Sequence, residues 1–139
     1  MAPSRQRSRI HDFPDYEVVL EANPEFARAS LDDEVIAASA QSVIVRETRH
    51  APVIYFPRED VRWERLEATD HTSFCPFKGD ASYWTVRGAE RVEENAVWGY
   101  ADPFPEVAEL ANYVAFYGDR IRVESAASPP AEPGSSPKT

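Results

Sequence analysis

The chain has a single cysteine, Cys75, among its 139 residues. One thiol allows no disulfide within the chain and no cysteine-built zinc site. Histidine is almost as scarce. His11, His50 and His71 lack the close His-x-x-x-His type of spacing that brings two imidazoles to one ion, so no metal is expected. No cofactor is expected either. Long apolar runs are missing: none approaches the roughly 20 residues of a membrane span. The opening "MAPSRQRSR" has no apolar stretch behind its arginines and does not read as a secretory signal. Together these absences point to a reducing, cytoplasmic setting and no membrane partner. Positive charge is short too. There are 24 acidic and 15 basic side chains, a formal net charge of −9. From Tyr16 to Glu124 the count is 21 acidic to 11 basic, a net of −10. A surface that negative repels phosphate backbones, so nucleic acid is not an expected partner. The oligomeric state is left open. Lysine is the scarcest charge. Lys78 is the only one before the tail, where Lys138 lies, and ten arginines supply the domain's other positive charges.

The length suits one domain. Residues 1–15 and the Pro/Ser-rich 125–139 bury almost no apolar area and are expected to be disordered extensions of a domain at 16–124. Within the domain, alternating apolar segments predict strands at 16–21, 26–30, 34–39, 42–48, 52–56, 61–69, 81–87 and 91–100. Asp32-Asp33 marks a hairpin turn. Pro105 opens a single short helix with Val107, Leu110 and Ala111 on one face. The stretch "YVAFYGDRIRVES" (113–125) reads as a closing hairpin about Gly118-Asp119. The regular structure is mainly β and antiparallel.

Four segments are more particular: "YFPREDV" (55–61), "HTSFCPFKGDASYW" (71–84), "AVWGYADPFPEV" (97–107) and "YVAFYGDRI" (113–121). In order and spacing they resemble the bacterial and fungal family called domain of unknown function 427. The resemblance covers about Tyr16 to Glu124 and is strongest at T-x-x-C-P-[FY]-K-G-x-A-x-Y-W. Phe77 stands where tyrosine is common, and Gly99 where serine is common. The resemblance implies a small β-tent-like fold, two antiparallel sheets meeting at an angle over a groove, with one short helix near the C-terminal end. Relatives of that architecture carry a four-cysteine zinc site, which one cysteine cannot build. The family has also been labelled nucleotidyltransferase-like. This chain has no Gly-rich phosphate loop entering a helix, and its close acidic cluster, Asp32-Asp33-Glu34, sits in a turn.

Several residues carry candidate chemistry. Lys78 can lose a proton where arginine cannot, which suits Schiff-base or general-base work in a dry pocket; its commoner role is to pin a loop by pairing with a carboxylate. Glu47 closes a Val/Ile strand and needs a partner if buried, and Lys78 is the attractive one. Asp60 is an alternative partner or a turn cap. Cys75 is a nucleophile if a cation lowers its pKa, and otherwise a small apolar foot held by Pro76. His50 and His71 are more often solvated loop histidines than bases. Trp98 and Tyr100 share a strand face, whereas Tyr83 and Trp84 point to opposite faces, so at most three of these rings line one wall. Such rings usually build a core, but with a few polar groups they also wall a ligand pocket. Residues 72–79 are expected to form a loop at the groove mouth with Lys78 turned inward, and Thr72 joins the polar candidates.

Two function classes follow. The first is a small enzyme or small-molecule binder, with Lys78, Glu47 and Cys75 as reactive candidates and Trp98, Tyr83, Tyr100, Trp84, Thr72 and Asp60 around the ligand. The second is a non-catalytic module whose groove accepts a peptide or protein. A deep pocket holding Lys78 favours the first; a shallow trough with Lys78 in solvent favours the second.

Overall fold

The structure is a computed structural model that describes residues 8–126. Ten strands form: β1 (Val18–Ala22), β2 (Phe26–Leu31), β3 (Glu34–Ser39), β4 (Val43–Glu47), β5 (Val53–Pro57), β6 (Leu66–Cys75), β7 (Gly79–Arg87), β8 (Val92–Gly99), β9 (Tyr113–Phe116) and β10 (Arg122–Ala126). They make two antiparallel sheets, a seven-stranded one in the order β1-β4-β5-β9-β8-β7-β6 and a three-stranded one in the order β10-β2-β3. The mainly β fold with a late helix is the one read from the sequence. That helix, Pro105–Asn112, is of 3₁₀ type and breaks at Val107, where φ is −131° and ψ is 36°. It still buries Val107 and Leu110. No helix among the described residues is long and apolar enough to cross a membrane.

Strand alternation gives the large sheet two distinct faces. Ile54 and Phe56 of β5, Val86 of β7, Val97 of β8, and Val114 and Phe116 of β9 face the small sheet. They meet Ala27, Ala29 and Leu31 of β2 and Ile36 and Ala37 of β3 in one apolar cluster. The alternate residues, Val45, Tyr55, Ala81, Tyr83 and Ala115, belong to a second cluster on the opposite face, with Leu110 and Val107 from the 3₁₀ helix. The groove between sheets that the resemblance implies is therefore filled by side chains. The site has to be sought on the outer face.

The structure corrects other expectations. Residues 61–69 are not one strand. Val61 bridges to Ala37, Arg62 N–H donates to the Ile36 carbonyl at 2.8 Å, and Trp63 Nε1 donates to the Arg58 carbonyl at 2.7 Å. These bonds turn the chain at Trp63–Arg65, and strand β6 begins only at Leu66. Residues 113–125 are not a hairpin. Strand β9 lies between β5 and β8, while β10 pairs with β2 in the other sheet. Ile121, buried in the apolar cluster between the sheets, anchors that crossing. The loop expected at 72–79 shrinks to the turn 76–78, because Thr72–Cys75 pair with Gly79–Ser82.

The ends also differ from the expectation. Of the segment 1–15, residues 8–15 are described, and they dock on the domain. Arg9–Asp12 is a 3₁₀ helix, Arg9 N–H donates to the Pro76 carbonyl at 2.9 Å, and His11 Nε2 meets Glu106 Oε2 at 2.7 Å. At the other end Ser125 and Ala126 complete β10. Residues 1–7 and 127–139 lie outside the described residues.

Candidate ligand cavity

On the outer face, five neighbouring strands, β4, β5, β9, β8 and β7, send side chains or the residues just beyond them into one cavity of about 670 Å³. Val45 and Glu47 come from β4, Val53 and Tyr55 from β5, Tyr83 from β7 and Trp98 from β8; Tyr100 and Tyr117 follow β8 and β9. Strands β4 and β7 are four spacings apart, about 19 Å across a flat sheet. Glu47 and the turn leading into β7 nevertheless touch, so this face is concave.

The turn 76–78 closes one side. Lys78 N–H donates to the Cys75 carbonyl at 3.2 Å, and the Lys78 carbonyl accepts from Phe104 N–H at 3.0 Å. Gly79 follows at φ 118°, a conformation open to glycine and strained for other residues, and this lets the chain re-enter β7 with Lys78 pointing inward. Lys78 is 7% exposed. Its Nζ donates to Glu47 Oε1 at 2.5 Å. The other carboxylate oxygen, Oε2, accepts a short bond from the Tyr16 hydroxyl. Burial alone would raise the Glu47 pKa, but the bonds from Lys78 and Tyr16 outweigh it and hold the group below the usual carboxylate value. Phe77, between Cys75 and Lys78 in this turn, is stacked on Tyr16 at 3.9 Å and meets the edge of Phe13 at 5.8 Å. The docked opening segment thus covers the turn that positions Lys78.

Tyrosine dominates the wall. Five of the six tyrosines, Tyr16, Tyr55, Tyr83, Tyr100 and Tyr117, line the cavity. Tyr55 accepts from Trp98 Nε1 at 3.1 Å, and Tyr83 shares a hydrogen bond with Ser73 at 2.8 Å. Trp98 packs on Tyr117 at 4.5 Å and meets Tyr55 edge-on at 6.0 Å. Burial raises the phenol pKa of Tyr16, Tyr55 and Tyr100 well above its ordinary value. Burial and a hydrogen bond to Tyr83 push Tyr117 up to about 12. These four phenols keep their protons at neutral pH and act as neutral hydrogen-bonding groups.

The structure brings together Lys78, Glu47, Cys75, Tyr83, Trp98 and Tyr100, with His50 also lining the cavity. It leaves out three residues that the sequence offered. Trp84 lies on the inner face, packed on Trp63 at 5.3 Å and under the Arg58 guanidinium at 5.4 Å, because period-2 alternation sends it opposite Tyr83. Asp60 ends the 3₁₀ turn Arg58–Asp60 and is not part of the cavity wall. Thr72 is exposed on β6, paired with Ser82, and is not in the wall either. Sequence reasoning missed Tyr16, Tyr55 and Tyr117. The alternation of "VIYF" could have placed Tyr55 on the face of Val53; nothing local in the sequence brings Tyr16 to Glu47.

A family model described as a domain of unknown function (DUF427) matches residues 19–127. The chain belongs to the DUF427 family. The match begins within β1 and takes in every later strand of the cavity, whereas Tyr16 and the docked segment precede it. Among curated proteins, none matches the chain.

Proposed function

We propose that the chain binds a small molecule in the tyrosine-rich cavity, with the Glu47–Lys78 pair as its polar anchor. The observation that carries this reading is the position of Lys78. It is buried inside a cavity of about 670 Å³ rather than turned to solvent over a trough. That volume lies within the range of about 300–1,000 Å³ usual for small-ligand pockets. An aromatic wall with a few placed polar groups is the composition such pockets have. A shallow trough with Lys78 in solvent would instead favour a non-catalytic module for a peptide or protein partner. Catalysis by Glu47 as a general base is disfavoured because both carboxylate oxygens already accept hydrogen bonds. An acidic chain whose pocket cation is already paired is likewise a poor match for a triphosphate or for nucleic acid.

The test is a fragment screen by thermal shift on the wild-type protein and on Lys78→Arg. Fragments that raise the wild-type melting temperature should lose most of that effect in Lys78→Arg while the variant keeps its fold by circular dichroism. A guanidinium is bulkier than an ammonium and forks towards both carboxylate oxygens, one of which Tyr16 already holds, so the substitution should disturb the anchor. Fragments that stabilise both proteins equally would place binding elsewhere.

A further inference from the structure

The cavity's charges and hydrogen bonds narrow the ligand's chemistry. Its two oppositely charged side chains, Glu47 and Lys78, neutralise each other at 2.5 Å, and the second Glu47 oxygen is taken by Tyr16. A charged ligand would therefore give up water for a largely aromatic wall and find both groups already partnered. Tyr55 accepts from Trp98 Nε1 at 3.1 Å and also pairs with the Tyr100 side chain in the sense that stabilises the Tyr55 oxygen, so both bonds run to that oxygen rather than from its proton. A phenol in that position has a donor to give. The surrounding rings of Trp98, Tyr83, Tyr100 and Tyr117 present flat apolar surface, which favours a flat ring between or beside them.

We propose that the cavity takes an uncharged aromatic molecule bearing an acceptor oxygen, such as a ring hydroxyl, ether or carbonyl, and that Tyr55 donates to that oxygen. This rests on the reading of the cavity as a ligand site and adds the class of ligand. The same logic argues against nucleotides, whose phosphates would meet Glu47 and a lysine already paired to it.

Three probes on one ring separate the possibilities: 2-naphthol, 2-naphthoate and (2-naphthyl)trimethylammonium, each titrated calorimetrically into the full chain at pH 7.5. The neutral probe should bind at least roughly tenfold tighter than either ion. Tyr55→Phe should weaken 2-naphthol by roughly tenfold and leave the weak binding of the two ions nearly unchanged. In Glu47→Gln the Lys78 ammonium loses its counter-ion, so naphthoate should gain on naphthol by roughly tenfold. Equal or tighter binding of either ion to the wild-type protein would overturn the ligand class while leaving the cavity a binding site. Absence of binding by all three would overturn the binding reading itself. If Glu47→Gln fails to fold, the wild-type ratios and Tyr55→Phe decide.

Discussion

Tyr55 and Phe56 are adjacent on β5 and face opposite ways. Phe56 is fully buried between the sheets, meeting Phe116 edge-on at 5.5 Å within the large apolar cluster. Tyr55 is almost as buried, yet it faces a cavity and hydrogen-bonds Trp98. The contrast runs along the sheet: Val114 lies opposite Ala115, and Trp84 opposite Tyr83. The larger apolar core lies on the inner face, and the smaller outer cluster is rich in tyrosine. Placing that core on the inner face frees the outer face for tyrosine hydroxyls and an ion pair that a dry core would penalise. Period-2 alternation lets the same strands supply both.

That comparison can be broken in three ways. The largest effect should come from the inner face. Phe56→Ala should cost about 3–5 kcal/mol in urea denaturation. Tyr55→Phe, one residue away, should cost only about 1 kcal/mol, from the partner lost by Trp98 Nε1. Similar losses for both would mean that the two faces contribute alike.

Glu47 comes second. Glu47→Leu strands the Lys78 ammonium, which costs about 3–5 kcal/mol in a dry site and about 2–3 kcal/mol here, where the cavity opens to water. Adding Lys78→Met should recover most of it, since the unpaired charge and not the missing bond causes the loss. The pH dependence follows from the lowered Glu47 pKa. A depressed carboxylate contributes stability that is fully present above its unfolded value, about 4.3, and is lost as pH falls through the folded value. The melting-temperature gap between wild type and Glu47→Leu should therefore hold from pH 7 to 5 and shrink below about pH 4. A gap that does not change with acid would show that the carboxylate is not held ionised by its partners.

The smallest effect belongs to a residue on neither face's cluster. Thr72→Ala, on the exposed stretch of β6, should change stability by no more than about 0.5 kcal/mol and leave 2-naphthol affinity unaltered. A loss of binding there would extend the site to the sheet edge.

Local chemistry explains which parts of this were legible in the sequence. Alternation located most strands. Asp32-Asp33 marked a true hairpin, with Asp32 at φ 54°. Pro105 marked the start of the late helix. The opposite orientation of Tyr83 and Trp84 needed only the strand period. Charge scarcity pointed Lys78 at Glu47 across 31 residues. Strand order was not legible, because no local signal says that β9 inserts between β5 and β8 or that β10 crosses to the other sheet. Without that order, Tyr117 could not be brought to Tyr83, nor the cavity moved from between the sheets to the outer face. Tyr16 was hidden for a different reason: it reads as the first residue of a strand at 16–21, whereas β1 starts at Val18 and Tyr16 joins Phe13, from the segment expected to be disordered, in clamping Phe77.

The three tryptophans offer the most direct measurement, because Trp63 and Trp84 pack together on the inner side and Trp98 stands in the cavity wall. A Trp63→Phe/Trp84→Phe variant leaves Trp98 as the sole emitter, and Trp98→Phe leaves the inner pair. Each is titrated with 4-nitroanisole, an uncharged aromatic quencher with acceptor oxygens. The expected result is saturable quenching of Trp98 in the Trp63→Phe/Trp84→Phe variant, and loss of saturable binding in Trp98→Phe, which removes a wall residue. Weak, linear quenching of Trp98 in the Trp63→Phe/Trp84→Phe variant would contradict the assignment of the outer-face cavity as the ligand site.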